Sequence, residues 1–308
     1  MVLLHDQEQQ RAHRAPGHPE RPERVDAILS LVRADPDLDR IPVLEWQDVD
    51  VSETCLVHSY AHVAHVEAVA RGGGGWFDAD TYCTSESFDA ALAAVSCSIR
   101  AVDAVLGGES QSAFVIARPP GHHATRDRAM GFCLFNNIAI TAAHARRAGL
   151  ERVAVIDIDV HHGNGTQDIF YDDPSVLYCS LHEYPWYPGT GPAEETGGPD
   201  AMGATVNVPV PAGTGGEQWL TMFDERIASA VDAFEPQLIL VSAGFDAHAA
   251  DPLAELRLSD DTYASVTGRV RRLSERHADG RSVWLLEGGY DLAALSNSVA
   301  ECLRMLAA

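Results

Sequence analysis

Short apolar runs recur along this 308-residue chain, and several are continuous stretches of valine, isoleucine and leucine rather than alternating patterns. Strands that are buried on both faces have this composition, and they occur in parallel sheets covered by helices. The pattern therefore predicts parallel strands at residues 113–117, 153–158, 176–181, 205–208, 238–242 and 283–286.

Segments with helical patterns separate these predicted strands. An alternation of strands and helices favours an α/β fold with a parallel sheet, whose ligand sites lie at the carboxyl ends of the strands. A glycine- and proline-rich stretch at residues 184–203 is too long for a simple connection and predicts a functional loop over that end. The predicted helices span residues 21–33, 59–70, 87–106, 136–148, 217–233, 260–276 and 291–306.

The chain is strongly acidic, with 45 aspartate and glutamate residues against 22 basic residues and a formal net charge of −23. Every basic residue is an arginine, and the sequence contains no lysine. This charge argues against direct binding of DNA or RNA, whereas it attracts cationic partners such as polyamines or basic protein tails. Nothing in the sequence places the excess charge at one site, so an organism with a salty cytoplasm or a GC-rich genome explains it more simply.

The cysteines are scattered and form no Cys-x-x-Cys pair, which favours reduced thiols and gives no support to a cysteine-based zinc site. The sequence also lacks a run of about 18 apolar residues that could span a membrane. Its first residues lack the basic and apolar segments of a secretory signal. These features predict a cytoplasmic protein without a membrane contact.

The most informative segment follows the predicted strand at 153–158. Asp157, Asp159 and His161 alternate there, so an extended backbone points them to one face. A carboxylate and an imidazole side by side are good zinc ligands. A polar strand end that merely caps the next helix is the alternative, but it does not explain so many such residues together.

Other predicted strands also end in polar residues. The strand at 113–117 is followed by Pro119-Pro120-Gly121-His122-His123, and histidine is the residue best suited to move protons near neutral pH. The strand at 238–242 leads to Asp246, and the strand at 283–286 leads to Glu287-Gly288-Gly289-Tyr290. Since the carboxyl ends of parallel strands meet at one edge of a sheet, these residues are expected to converge.

These motifs together resemble the zinc-dependent histone deacetylase superfamily, which includes acetylpolyamine amidohydrolases and shares the arginase-like fold. The resemblance runs along almost the whole chain, and Asn164 with the start of the chain looks like the class II branch and its bacterial relatives. It implies a single catalytic domain over residues 1–308, with a three-layer α/β fold whose central parallel sheet has about eight strands flanked by helices. The matching segments are His18-Pro19-Glu20-Arg21-Pro22-Glu23-Arg24, Pro-Gly-His-His, residues 131–137, Asp-Val-His-His-Gly-Asn-Gly, residues 188–191, 242–246, 251–253 and 287–290.

The resemblance implies a role for individual residues. One Zn²⁺ per chain is implied, with Asp159, His161 and Asp246 as its ligands. His123 matches the general base, His122 its electrostatic or secondary acid–base neighbour, and Asp157 the carboxylate that orients His122. Asn164 matches a position where class I relatives have an aspartate, so His123 is expected to be a somewhat weaker base here. Tyr290 matches the tyrosine that donates a hydrogen bond to the developing oxyanion.

The substrate tunnel and further ions are implied in the same way. Phe132 and Tyr187 match its aromatic walls, and Asp80 matches a rim aspartate, although Asp78 lies close to it in sequence. Arg24 matches an arginine near an internal acetate-release channel. The other implied substrate-binding residues are Gly131, Leu253 and Gly289. One or two K⁺ ions are implied, the first at Asp157, Asp159, His161, Ser180 and Leu181, and a more exposed second at Phe170, Asp173 and Val176.

The resemblance leaves the substrate open among acetyl-lysine of proteins or peptides, acetylated polyamines and another acylated small molecule. Polyamine-specific relatives carry an acidic residue near the tunnel mouth, and the corresponding position here is the apolar Leu253, which favours acetyl-lysine. The charge of −23 favours cationic substrates of either kind. A non-catalytic acyl-lysine binding protein would lack the base, a ligand or the tyrosine, and the arginase branch does not fit the Tyr290 motif. The oligomeric state stays open, with a homo-oligomer among the possibilities.

Histidines outside these motifs are interpreted as structural. His58, His62 and His65 have helical spacing, which a solvent-facing helix explains as well as a metal site does. His162 is expected to support the metal ligand beside it, and His182 to line the pocket.

Overall fold

The computed structural model describes residues 1–6 and 8–308. Its strands are β1 (Val2–His5), β2 (Gly75–Trp76), β3 (Tyr82–Cys83), β4 (Ser112–Ile116), β5 (Val153–Asp157), β6 (Val176–Glu183), β7 (Thr205–Val210), β8 (Leu238–Ala243) and β9 (Ser282–Leu286). Its α-helices are α1 (Glu23–Ala34), α2 (Tyr60–Arg71), α3 (Ser87–Leu106), α4 (Asn137–Arg147), α5 (Asn164–Phe170), α6 (Gly216–Met222), α7 (Ser229–Phe234), α8 (Asp260–His277) and α9 (Leu292–Ala307). Within the described residues, none of the helices has the length and apolar character needed to cross a membrane.

The central sheet is parallel and lies between two layers of helices. Over residues 1–6 and 8–308 it has seven strands, in the order β1-β4-β9-β8-β5-β6-β7, and β2 pairs with β3 in a separate antiparallel ribbon. Successive residues of β5 face opposite sides: Ala154 and Ile156 pack with α1, α8 and α9, whereas Val153 and Val155 pack with α2, α3 and α4. The predicted three-layer α/β fold is confirmed, with seven strands in this sheet instead of about eight.

Every predicted strand is present, but the sequence analysis missed the two-residue ribbon strands β2 and β3 and the sheet strand β1. This strand has four residues and pairs with β4 at the edge of the sheet. An apolar run of that length at the start of the chain has no flanking pattern to identify it. The predicted helices are also present, and the predicted helix at 217–233 is α6 and α7 joined by a π-helical segment, Phe223–Ala228.

The strand order reverses beside β5. From β5 the chain continues through β6 to β7 on one side, while β8 lies on the other side of β5 and leads to β9 in the opposite direction. A sheet of this kind opens a crevice at the carboxyl ends of the strands where the order reverses. The loops that follow β5 and β8 therefore lie next to each other at that crevice.

His58 and His62 are buried, so the prediction that they face solvent was wrong, and only His65 is exposed. The Nδ1–H of His58 donates to the carbonyl of Thr125 at 2.9 Å, and its Nε2 accepts the N–H of Asn136 at 2.8 Å. His62 donates to the carbonyl of Leu134 at 2.9 Å. These imidazoles attach the start of α2 to the segment that precedes α4, because a buried ring nitrogen needs a hydrogen-bond partner.

The neutral state of His58 predicts a specific loss of stability in acid. Burial, reinforced by neighbouring His62, lowers the pKa of His58 to about 3. The unfolded chain takes up a proton at this residue below about pH 6.5, so stability is lost as the pH falls below that value. In His58→Gln, which keeps an acceptor for the Asn136 N–H, the free energy of unfolding should depend less steeply on pH, by about 1.4 kcal/mol per pH unit between about pH 4 and about pH 5.5.

Urea unfolding at a series of pH values measures this slope. His65→Gln on the exposed face of α2 is the matched control and should leave the slope unchanged. Equal slopes for wild type and His58→Gln would contradict the neutral, hydrogen-bonded assignment.

Candidate metal centre and active site

Asp159, His161 and Asp246 meet at the crevice between the ends of β5 and β8. One candidate ligand atom from each lies within 4.8 Å of the others, and all three residues are buried. The Nδ1 of His161 is 3.1 Å from Oδ1 of Asp159 and 3.1 Å from Oδ2 of Asp246. The structure thus brings together the three residues that the sequence predicted as metal ligands.

The charges of this cluster fit a cation. Asp159 and Asp246 are almost fully buried, and a buried carboxylate is costly unless it is paired. Burial, followed by repulsion from Asp159, raises the pKa of Asp246 to about 7. Burial opposes protonation of His161, but its bonds to the two carboxylates raise its pKa to about 10. A divalent cation would satisfy both carboxylates and leave the imidazole neutral, and two oxygens with one nitrogen are suitable ligands for zinc.

Glycines allow the strand ends to approach the two carboxylates. A Cβ at Gly288 would overlap Oδ2 of Asp246, and a Cβ at Gly244 would overlap the Asp159 carboxylate. The N–H of Gly288 donates to Oδ2 of Asp159 at 2.8 Å, and the N–H of Val160 donates to Oδ1 of Asp246 at 3.0 Å. Backbone N–H groups therefore orient both carboxylates, as the hydrogen-bond partners of metal ligands do in metal sites.

His122 and Asp157 form a buried pair beneath this cluster. The Nδ1 of His122 is 3.0 Å from Oδ2 of Asp157, which also accepts the hydroxyl of Tyr178 at 3.1 Å. Burial alone would lower the pKa of His122, but Asp157, Asp159 and Glu287 raise it well above the ordinary value. The neighbouring carboxylates therefore favour the protonated form of His122.

His123 is held in the opposite state. Burial, followed by the neighbouring His122 and His161, lowers its pKa well below the ordinary value. Its Nδ1–H donates to Oδ1 of Asn164 at 2.9 Å, which leaves Nε2 with a free lone pair. Since Asn164 supplies a hydrogen bond without a negative charge, it orients the ring but does little to favour protonation. A neutral imidazole of this kind can accept a proton.

Tyr290 lines the same cavity as these histidines. Burial raises the pKa of Tyr290 well above its ordinary value, so the hydroxyl stays protonated and can donate. The Arg24 guanidinium lies 4.9 Å from the centre of the tyrosine ring, and its Nε donates to the carbonyl of Gly289 at 2.7 Å. The N–H of Tyr290 donates to Oδ2 of Asp251 at 2.6 Å. The tyrosine is therefore fixed at both its ring and its backbone.

These residues line a cavity of about 360 Å³ with largely apolar walls. Phe132 lies with its ring centre 5.8 Å from that of Tyr290, and Tyr187 lies 5.1 Å from His123. Gly131 has a φ of 56° beside the His123 ring, where a side chain would collide with it. The full lining comprises Asp80, Pro120, His122, His123, Gly131, Phe132, His161, Trp186, Tyr187, Leu253, Gly288 and Tyr290.

Some residues named in the sequence analysis lie near the cavity but do not line it. Gly289 interacts with Arg24 through its carbonyl, and its neighbour Gly288 lines the cavity. Asp78 accepts the N–H of Asp80 at 3.1 Å and therefore supports the rim aspartate. The hydroxyl of Ser180 is 2.9 Å from Nδ1 of His182.

The residues predicted for potassium form two separate groups. For the first site, Asp157 and Ser180 are register partners on β5 and β6, next to Leu181. For the second site, Phe170 and Asp173 line a separate cavity, and the N–H of Val176 donates to the carbonyl of Asp173 at 3.3 Å. Some members of each group therefore lie close together, and potassium binding at either group stays a prediction.

Sequence reasoning assigned no role in the site to Glu287, Asp251 or Trp186. Trp186 lines the cavity mouth, and its indole N–H donates to the carbonyl of Leu253 at 3.0 Å. Asp251 accepts backbone N–H groups of Tyr290, Asp291 and Leu253. Their position in the sequence could have indicated a role, because each of the three residues lies within or beside a motif that carries a candidate site residue.

Comparison with known proteins agrees with this geometry. A histone deacetylase domain matches residues 18–306, so the chain belongs to the histone deacetylase family. The resemblance inferred from the motifs is thereby confirmed, and membership supports deacetylase and hydrolase activity.

Similar proteins come from all domains of life. A probable deacetylase of Archaeoglobus fulgidus is 41% identical over 293 residues, which cover 94% of this chain and 81% of the relative. A histone deacetylase-like amidohydrolase of Pseudomonas aeruginosa is 40% identical over 281 residues, which cover 91% and 74%. The human polyamine deacetylase HDAC10 is 38% identical over 301 residues, which cover 93% and 44%. The crystal structure of the HDA15 HD domain superposes with a TM-score of 0.94 at 35% identity, covering 99% of this chain and 89% of that one.

The close approach of Gly288 to both carboxylates predicts that Gly288→Ala weakens metal binding. The added methyl group would displace the Asp246 carboxylate, and disturbing such a supporting contact typically lowers metal affinity by about 10–100-fold. Competition titration with a zinc chelator measures the affinity. Gly215→Ala, where a Cβ meets nothing within 4 Å, is the control. Unchanged affinity in Gly288→Ala would contradict the assignment of these carboxylates as ligands.

Proposed function

We propose that the chain is a zinc-dependent amidohydrolase that deacetylates N-acetyl amines. One observation carries the proposal: His123, neutral and with its Nε2 lone pair free, lines the same cavity as Tyr290 and as His161, which belongs to the cluster with Asp159 and Asp246. A base, a metal-ligand set and a protonated hydrogen-bond donor around one apolar cavity are the components that hydrolysis of an amide needs.

The chain's own residues supply the rest of the chemistry. Zinc held by Asp159, His161 and Asp246 would polarise a carbonyl oxygen and lower the pKa of a water molecule. His123 accepts the proton of the attacking water at Nε2 while Asn164 holds its Nδ1–H. Tyr290 donates its hydroxyl hydrogen to the oxygen on which negative charge develops. His122 stays cationic beside Asp157 and stabilises that charge, and the departing amine receives a proton from the histidine pair.

An aliphatic N-acetyl amine fits the shape of the cavity. Phe132 and Tyr187 provide apolar walls for a methylene chain, and Gly131 leaves space beside His123. Leu253 adds an apolar residue at the mouth, and Asp80 offers a carboxylate for the backbone amides of a peptide. These features favour acetyl-lysine of a protein or peptide as the substrate.

Acetylated polyamines are the second candidate. The similar human protein is named a polyamine deacetylase, and the net charge of −23 attracts cationic amines. Asp78 adds a second carboxylate next to Asp80, whose backbone N–H it accepts. Position 253 carries leucine instead of an acidic residue, and for this reason acetylated polyamines rank second.

The proposal extends to ions and location. K⁺ is proposed at the group around Asp157 and Ser180, and a second K⁺ at the group around Asp173. Residues 1–308 are proposed to act as one catalytic domain. A cytoplasmic location is supported by the cysteines, all of which are free thiols.

The proposed roles predict that His123→Ala and Tyr290→Phe lose turnover but retain zinc. Removing one oxyanion donor typically lowers kcat by about 10²–10³-fold, and loss of the base should have an effect of at least this size. Neither side chain belongs to the ligand cluster, so bound zinc should stay near one per chain. Steady-state kinetics and elemental analysis measure both quantities. Turnover near that of wild type in either zinc-loaded variant would contradict the mechanism, and an inactive wild type would favour a non-catalytic acyl-lysine binder.

The ranking of substrates predicts a higher kcat/KM on acetyl-lysine peptides than on acetylated polyamines. Both rates should be measured on the same zinc-loaded preparation. Leu253→Glu would place an acidic side chain at the mouth and should shift the ratio toward the polyamines. A strong preference of the wild type for polyamines would reverse the ranking.

A further inference from the structure

A buried carboxylate that the mechanism does not use lies between the two halves of the active site. Glu287 follows β9 and is 1% exposed. Strand β9 lies between β4, whose following turn carries His122 and His123, and β8, whose following loop carries Asp246. The side chain of Glu287 therefore lies at the middle one of three adjacent strand ends. Glu287 is not one of the residues that line the cavity.

The hydrogen bonds of Glu287 join these strand ends. Its Oε2 accepts the N–H of Gly121 at 2.6 Å and the N–H of His122 at 3.2 Å. Its Oε1 accepts the hydroxyl of Ser242 on β8 at 3.2 Å. Hydrogen bonds to a buried carboxylate are among the stronger ones in proteins, so the side chain fixes the position of the histidine turn.

The backbone that carries Glu287 is attached to the rest of the site. The next residue, Gly288, donates its N–H to Asp159, and Arg24 donates to the carbonyls of Glu287 and Gly289. Tyr290 belongs to the same short segment. Residue 287 and its neighbours thus connect three parts of the site: the turn that carries His123, the metal ligand Asp159 and the hydrogen-bond donor Tyr290.

We propose that Glu287 is a positioning residue, whose carboxylate holds the turn at residues 121–123 so that His123 is aligned with the metal ligands and Tyr290. This inference rests on the proposed function. A misplacement of about 1 Å at a reacting group can cost about 10²-fold in rate, so the contribution of such a residue is measurable in kcat.

The test compares Glu287→Ala with Glu287→Gln in the zinc-loaded protein. A glutamine keeps an oxygen for the two N–H groups, and its amide can donate to the Ser242 hydroxyl, so it preserves the position without the charge. We expect kcat to fall about 10²-fold in Glu287→Ala and to recover to within about tenfold of wild type in Glu287→Gln, with KM and bound zinc little changed. Ser242→Ala is a milder variant for use if Glu287→Ala does not fold, and it should lower kcat several-fold.

Asp6→Ala is the matched control. This buried carboxylate also accepts backbone N–H groups at a strand end, from Glu8, Gln9 and Gln10 at 2.8–3.1 Å, but it does not line the cavity. Its loss should lower stability and leave kcat unchanged. Wild-type kcat in folded Glu287→Ala would overturn the inference, and so would a Glu287→Gln variant as slow as Glu287→Ala, because charge rather than position would then be responsible.

Amide hydrogen exchange gives a readout that does not depend on catalysis. The N–H groups of Gly121 and His122 should exchange faster in metal-free Glu287→Ala than in the wild type, and Glu287→Gln should restore protection. Unchanged exchange would overturn the inference. If instead the wild type shows no deacetylase activity, the proposed function fails while the exchange data still decide the role of Glu287.

Discussion

Negative charge buried at the carboxyl edge of the sheet is the constraint on which the site depends. Asp157, Asp159, Asp246 and Glu287 are all at most 1% exposed. Each buried carboxylate requires partners, and the partners dictate the local structure. Asp157 is satisfied by His122 and Tyr178, and Glu287 by the histidine turn and Ser242. Asp159 and Asp246 share the imidazole of His161 and accept three backbone N–H groups, those of Val160, His161 and Gly288, and a cation would complete their environment. The same demand explains why glycine occupies positions 244 and 288.

The bottom of the cavity is fixed by the sheet, whereas its mouth is built from loops. His123, His161 and Tyr290 follow strands or the turns attached to them, so their positions are set by the sheet register. Trp186 and Tyr187 belong to the segment at 184–203, and the bond from Trp186 to the Leu253 carbonyl joins two loops across the mouth. Changes in loop sequence can therefore alter which amine is accepted without moving the residues that carry out the chemistry, as is common where function lies on loops over a scaffold.

Sequence alone predicted what depends on local pattern and missed what depends on long-range packing. Buried parallel strands are recognisable from continuous apolar runs, and a polar residue at each strand end identifies the site edge. The edge strand β1 has too few residues for such a pattern. His58 and His62 were misassigned because helical spacing does not reveal which face is buried. Glu287 and Asp251 accept backbone N–H groups from distant segments, and nothing in the sequence indicates which N–H groups those are.

Arg24 and Arg118 are fully buried, and because the chain contains no lysine its permanently charged cationic side chains are all guanidinium groups. A guanidinium keeps its charge at any physiological pH, whereas a buried lysine shifts its pKa readily and is a target for acetylation. These 308 residues contain no ε-amino group that an acyl donor could modify. The buried ion pairs of Arg24 and Arg118 with Glu20 therefore do not vary with the acylation state of the cell.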